Sequence, residues 1–221
     1  MSVWIVIPAY NEEVRIGRVI RGLFEQGWRE VVVVDDGSVD GTVAVARLAG
    51  ARVVCHRVNR GQGAALQTGD EYALAGGAEV IVHFDGDDQF DPRDIKGAVT
   101  LLRERGLDVV IGSKLLDGRT QIPWFKKYFI ISVGRVINFL MTSLWLSDVH
   151  NGFRVLVRAA AEKIKITQDG MAHNSEILSQ IKKLKLSFAE FPVKITYYEY
   201  GQGISGGFKI IFDWLTSFFV K

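Results

Sequence analysis

Apolar residues run in short unbroken blocks through the first half of the chain: Val3–Ile7, Val31–Val34, Arg52–His56, Glu79–Phe84 and Asp108–Gly112. Blocks of this length without polar alternation are the mark of strands covered on both faces. Between them the spacing changes. Ile16, Val19, Ile20, Leu23 and Phe24 recur at helical steps, as do apolar positions from Asp40-Gly41-Thr42 to Leu48, from Ala64 to Ala75 and from Asp94 to Glu104. Five strand and helix alternations predict an α/β domain: a doubly wound, Rossmann-like, mostly parallel sheet with helices on both faces and right-handed crossovers. Such a sheet takes its ligand at the carboxyl ends of its strands. Further on, 158–166 and 175–184 read as helices and 187–195 as a strand.

Two later stretches are apolar without fitting that sheet. Tyr128 to Leu146 has the length of a membrane span. Ser132, Arg135, Asn138 and Thr142 nevertheless fall on one polar stripe, which predicts an interfacial helix or helix pair over about 126–146, with Lys126 and Lys127 near anionic headgroups. The last helix, from Phe208 to Phe219, carries aromatic and aliphatic residues around a narrow stripe of Lys209, Asp213 and Thr216. It packs on the domain, lies in the membrane, or docks a small membrane-protein partner or a second copy, the last two being favoured. The expected division is a domain over 1–200, followed by a loop and amphipathic helix over 201–221.

Composition narrows the class. With 221 residues and 48% hydrophobic content the chain can bury one large core, and a net charge of +2 gives no field that asks for nucleic acid. The single cysteine, Cys55, lies in an apolar run and is expected to be a buried structural thiol. Met1-Ser2 leads straight into the first strand with neither a basic start nor a cleavage site, so a cytoplasmic protein, peripheral on the inner face of the membrane, is expected. Arg15, Arg18 and Arg21 read as a solvated helix face.

Three acidic turns close the strands: Tyr10-Asn11-Glu12 after the first, Asp35-Asp36 after the second and Asp85-Gly86-Asp87-Asp88-Gln89 after the fourth. In a parallel sheet all three share one rim. Asp85 and Asp87, with one glycine between them, can face a single hard cation, and Gln89 offers a neutral oxygen at the next alternate position. Mg²⁺ or Mn²⁺ held this way takes its other ligands from water and phosphates. The plainer reading is an acidic turn with a helix N-cap at Asp91 or Asp94. Asp36 could accept hydrogen bonds from a nucleotide base, and Gly61-Gln62-Gly63 opens a helix where backbone can approach a phosphate. The P-loop and dinucleotide fingerprints are absent.

The set Ile7–Glu13, Val34–Thr42, Asn59–Ala64 and Asp85–Pro92 resembles the family 2 glycosyltransferases of GT-A fold. Gly112-Ser113-Lys114, Gly134–Asn138 and Asp148–Arg154 look like the polyprenyl-phosphate branch, typified by dolichyl-phosphate mannose synthase. The resemblance implies inverting transfer of one sugar from a UDP- or GDP-linked donor. Pro8, Ala9, Tyr10, Asn11, Glu12 and Asp36 would hold the nucleoside side, and Gly61, Gly63, Asp85 and Gly86 would complete the donor site. Asp85, Asp87 and Gln89 would hold the metal that neutralises the leaving diphosphate. Many relatives have arginine where this chain has Lys114, so a bidentate phosphate fork is replaced by a point charge.

The acceptor decides the remaining chemistry. A lipid monophosphate, with a second pKa of about 6, is already largely ionised and needs cations rather than a base. Lys114, Arg135 and Arg154 are the candidates, and Arg154 could instead pair with Asp148. A hydroxyl acceptor needs a carboxylate base, and Glu176 stands where relatives of that kind keep theirs, unless it only starts an amphipathic helix. A non-catalytic subunit that binds nucleotide sugar is the remaining alternative. The 201–207 glycine-rich stretch is either a closing loop or a plain linker.

Overall fold

The computed structural model describes residues 2–116, 118, 146–148 and 151–196. Along the chain these form β1 (Val3–Ala9), α1 (Ile16–Glu25), β2 (Glu30–Asp35), α2 (Thr42–Leu48), β3 (Arg52–Cys55), α3 (Gln62–Ala75), β4 (Val80–His83), α4 (Asp94–Glu104), β5 (Val109–Ser113), β6 (Arg154–Val157), α5 (Arg158–Lys163), α6 (His173–Lys183) and β7 (Phe188–Pro192). The seven strands pair in the order β3-β2-β1-β4-β6-β5-β7. All neighbours run parallel except β6, which is antiparallel to both β4 and β5.

The unbroken apolar runs have the expected cause. Ile5, Ile7, Val31, Val33, Val80 and Val82 face one core with Ile16, Ile20 and Leu23 of α1 and Ile95 and Leu102 of α4. Their alternates Trp4, Val6, Val32 and Ile81 face a second core with Leu66 of α3 and Ile177, Leu178 and Ile181 of α6. With period-two alternation, a strand can be apolar throughout only when both faces meet such layers.

Three expectations change. Strand β6, which was not among the expected strands, lies between the fourth and fifth; its four residues follow an Asp-Val-His-Asn-Gly-Phe stretch whose polarity hides so short a strand. Cys55 is exposed, because β3 is an edge strand and has only one neighbour. The helix stripe of Arg15 and Arg18 is less idle than expected: Arg15 pairs with Glu12 at 3.1 Å and Arg18 with Asp88 at 2.8 Å. The interfacial segment about 126–146, apart from its last residue, and everything after 196 lie outside the described residues, and with them Arg135 and the C-terminal helix.

Candidate active site

From β1 the chain steps to β2 and β3 on one side, then returns to place β4 on the other. At the carboxyl ends of β1, β2 and β4 this leaves a cleft of about 350 Å³, at the topological switch point where an open sheet opens a crevice. Of the residues expected there, Pro8, Ala9, Tyr10, Glu12, Asp36, Gly61, Asp85, Gly86 and Asp87 line it. Asn59, Gln62 and Ala65 join them. Gln62 is an addition whose only sequence signal is its place between two glycines.

Asn11, Gly63 and Gln89 are not in the lining. Asn11 adopts a left-handed φ of 56°, and its Oδ1 accepts the Val39 amide at 3.0 Å, tying the first acidic turn to the second. The Gln89 amide donates to Asp87 Oδ1 at 3.1 Å and its carbonyl accepts the Thr196 amide at 2.9 Å. Asp91 Oδ1 accepts the Arg93 backbone amide at 3.0 Å in the turn that opens α4, as the N-cap reading expected, and its carboxylate also takes the Arg93 guanidinium, whereas Asp94 Oδ2 accepts the Lys194 amide at 2.7 Å.

Glu12, Asp85 and Asp87 bring three carboxylates into one cleft. Burial pushes the Asp85 carboxyl up to about 7, and the charge of Asp87 adds to the effect. Asp87 and Glu12 are also raised, mainly by burial. Such mutual repulsion is relieved by a cation. Among the described residues no three histidine, cysteine or acidic groups form a complete protein cage. Two hard carboxylates with room beside them suit Mg²⁺ or Mn²⁺, which keep water and phosphate ligands. The donor set therefore fits the metal.

Behind the cleft the charge is opposite. Arg154 is 1% exposed and sits across from His83 in the sheet. Its Nη2 donates to Asn174 Oδ1 at 2.5 Å, while Nε and Nη1 have no partner among the described residues. Desolvation lowers its pKa to about 10, opposed by the nearby charges of Asp85 and Asp70. Arg154 thus lies beneath the cleft rather than on its rim. It does not pair with Asp148, which instead accepts Lys114 Nζ at 3.1 Å and Asn151 Nδ2 at 2.9 Å. His173, beside this arginine, is held neutral by burial, with a pKa lowered to about 4.

Asp36 is occupied by the protein itself. It accepts the Gly61 amide at 2.6 Å, the Arg60 amide at 3.0 Å and a bond from the His56 ring at 2.7 Å. Its first task is to hold the 59–61 turn against β2. Glu176 also has partners: Oε2 accepts the Thr167 and Gln168 amides at 2.9 and 3.0 Å, and Oε1 accepts the Thr167 hydroxyl at 2.5 Å. It does not line the cleft.

The family model described as Glycosyl transferase family 2 matches residues 4–165. The chain belongs to this family. Among the relatives of this family 2 glycosyltransferase, an uncharacterized protein of Methanocaldococcus jannaschii is 35% identical over 219 residues, covering 96% of this chain and 90% of that one. The UDP-N-acetylglucosamine–dolichyl-phosphate N-acetylglucosaminyltransferase of Methanococcus voltae is 28% identical, with 95% and 93% covered. The polyprenol monophosphomannose synthase of Mycolicibacterium smegmatis is 29% identical, with 91% and 79% covered. Glucosyl-3-phosphoglycerate synthase of Mycobacterium tuberculosis, solved with Mn²⁺, UDP and glucosyl-3-phosphoglycerate, superposes with a TM-score of 0.69 at 20% identity over 90% of this chain and 73% of that one. The glycosyltransferase shares that GT-A fold.

Proposed function

We propose that this glycosyltransferase moves one sugar, with inversion, from a nucleoside diphosphate donor to a polyprenyl phosphate at a membrane surface. The observation that carries the donor half is the convergence of Glu12, Asp85 and Asp87 on one cleft at the β1/β4 switch point. A divalent cation on Asp85 and Asp87 would neutralise the diphosphate as it leaves. Asp36, Asn59 and Gly61 form the wall where the nucleoside would lie, and Tyr10, 46% exposed at the mouth, is free to stack on its base.

The lipid-phosphate half is supported by the two named relatives that act on dolichyl and polyprenyl phosphates. An ionised phosphate nucleophile requires no general base, which suits a site whose candidate base, Glu176, is bound by Thr167 and Gln168. Lys114, partly exposed beside Asp148, would supply positive charge on the acceptor side, together with Arg135. The Lys114–Asp148 ion pair brings together the two ends of the intervening segment, so those ends cannot lie on opposite sides of a bilayer.

The test is transfer of label from a panel of radiolabelled nucleoside diphosphate sugars into organic-extractable lipid, with polyprenyl phosphate and Mn²⁺ supplied. Native protein should label the lipid with one donor, and Asp87→Ala should lower the rate by about 100-fold or more. Label entering a soluble saccharide instead would establish the hydroxyl-acceptor reading. Turnover of either kind by the isolated chain would remove the non-catalytic reading.

A further inference from the structure

The loop between α5 and α6 presses on the glycine turn from outside the cleft. The Asp169 carbonyl accepts the Gly63 amide at 2.8 Å, and Arg60 pairs with the Asp169 carboxylate at 3.3 Å. The approach is closer than any side chain would allow. A Cβ on Gly63 would lie 2.0 Å from the Gln168 carbonyl oxygen, and one on Gly61, whose φ is +114°, would lie 2.4 Å from that of Asp169. Both glycines are therefore required by this loop, whatever they do for a phosphate.

Between them stands Gln62, the first residue of α3, whose Nε2 donates to Asp85 Oδ1 at 3.0 Å. The backbone of the turn thus aims the side chain that orients the Asp85 carboxylate. At its other side the loop hangs on Glu176, whose two oxygens take both amides and the hydroxyl of Thr167 and Gln168. Every link from Glu176 to Asp85 is a hydrogen bond or a backbone contact.

We infer that Glu176 is a positioning residue for the donor site: it braces the 167–170 loop, which locks the Gly61–Gly63 turn and, through Gln62, the carboxylate of Asp85. The inference rests on the donor-site reading of the cleft. It assigns Glu176 a role in donor affinity, whereas a general base would act on the chemical step alone.

Binding of UDP and of GDP, each with Mn²⁺, is measured by calorimetry for the native chain, Glu176→Ala, Glu176→Gln and Thr167→Val, followed by donor KM and kcat with the donor that the native chain uses. Glu176→Ala should weaken nucleotide binding and raise donor KM by about tenfold, with kcat at saturating donor within about threefold of native, as for outer-shell partners of other sites. Glu176→Gln, which retains one acceptor oxygen, should recover most of the loss. Thr167→Val removes only the hydroxyl that donates to Glu176 Oε1 and leaves both amide bonds to Oε2 in place, so it loosens the same link less and should raise KM by a smaller factor in the same direction. Unchanged nucleotide affinity in Glu176→Ala would overturn the inference, as would a Glu176→Gln variant that binds normally but transfers no sugar. Native protein that binds neither nucleotide would remove the donor-site reading itself, and the brace with it.

Discussion

Asp85 carries the largest electrostatic strain among the cleft carboxylates. Its carboxyl titrates at about 7 in the folded protein against 3.8 when free. Between those values the native state holds a proton that the unfolded chain has released, so stability contributed by the neutral form is complete below 3.8 and is lost as the pH rises through about 7. Without divalent cation, Asp85→Asn should therefore melt higher than native on the alkaline side of that range, by on the order of 2–4 kcal/mol, and the gap should close in acid. Scanning calorimetry against pH checks it. The same proton would compete with a metal held on Asp85, so Mn²⁺ affinity should fall roughly tenfold per pH unit below the Asp85 midpoint.

Helix α3 is seated by glycines as much as by apolar contacts. Gly69 faces the sheet, and a Cβ there would stand 2.2 Å from Val6 Cγ1 and 3.2 Å from Val34 Cγ2. Gly69→Ala must push α3 off β1 and β2 and should cost about 1–3 kcal/mol in urea unfolding. Gly22 of α1 makes the opposite case. Its added Cβ would meet only Pro92 Cγ at 3.4 Å, an ordinary contact. Gly22→Ala should then stabilise by about 0.5–1 kcal/mol through helix propensity. The pair separates close approach from conformational entropy within one fold.

For the whole molecule, the proposed donor cleft joins three strands, three acidic turns and the α3 turn, so occupancy should stabilise the domain as a unit. With Mn²⁺ saturating, nucleotide at about 100 times its Kd should add about 2.7 kcal/mol over Mn²⁺ alone, and the midpoint should rise with nucleotide concentration. Asp87→Ala should show little of that rise. Nucleotide without metal should also give little, because the diphosphate would meet the uncompensated charges of Glu12, Asp85 and Asp87.

By itself the chain determined its layers and the location of its site. Unbroken apolar blocks ending in Pro8, Asp35 and Asp85 specify buried strands whose polar ends meet on one rim, since backbone periodicity and burial are local properties of sequence. The short antiparallel β6 was not legible, because Arg154–Val157 has too few residues to show a period and follows a polar loop. Nor could the sequence show which carboxylates remain open. Asp36 and Glu176 look as available on paper as Asp85, yet Asp36 is taken up by the 59–61 turn and Glu176 by Thr167 and Gln168. Arg154, expected to face the acceptor phosphate or to pair with Asp148, lies 1% exposed beneath the site and donates to Asn174. Those distinctions depend on partners distant along the chain, Thr167 against Glu176, Gln62 against Asp85 and Lys114 against Asp148. Only packing the sheet, α3 and α6 together brings such groups within hydrogen-bonding distance, and so only tertiary structure decides which charge faces the cleft and which one holds the wall behind it.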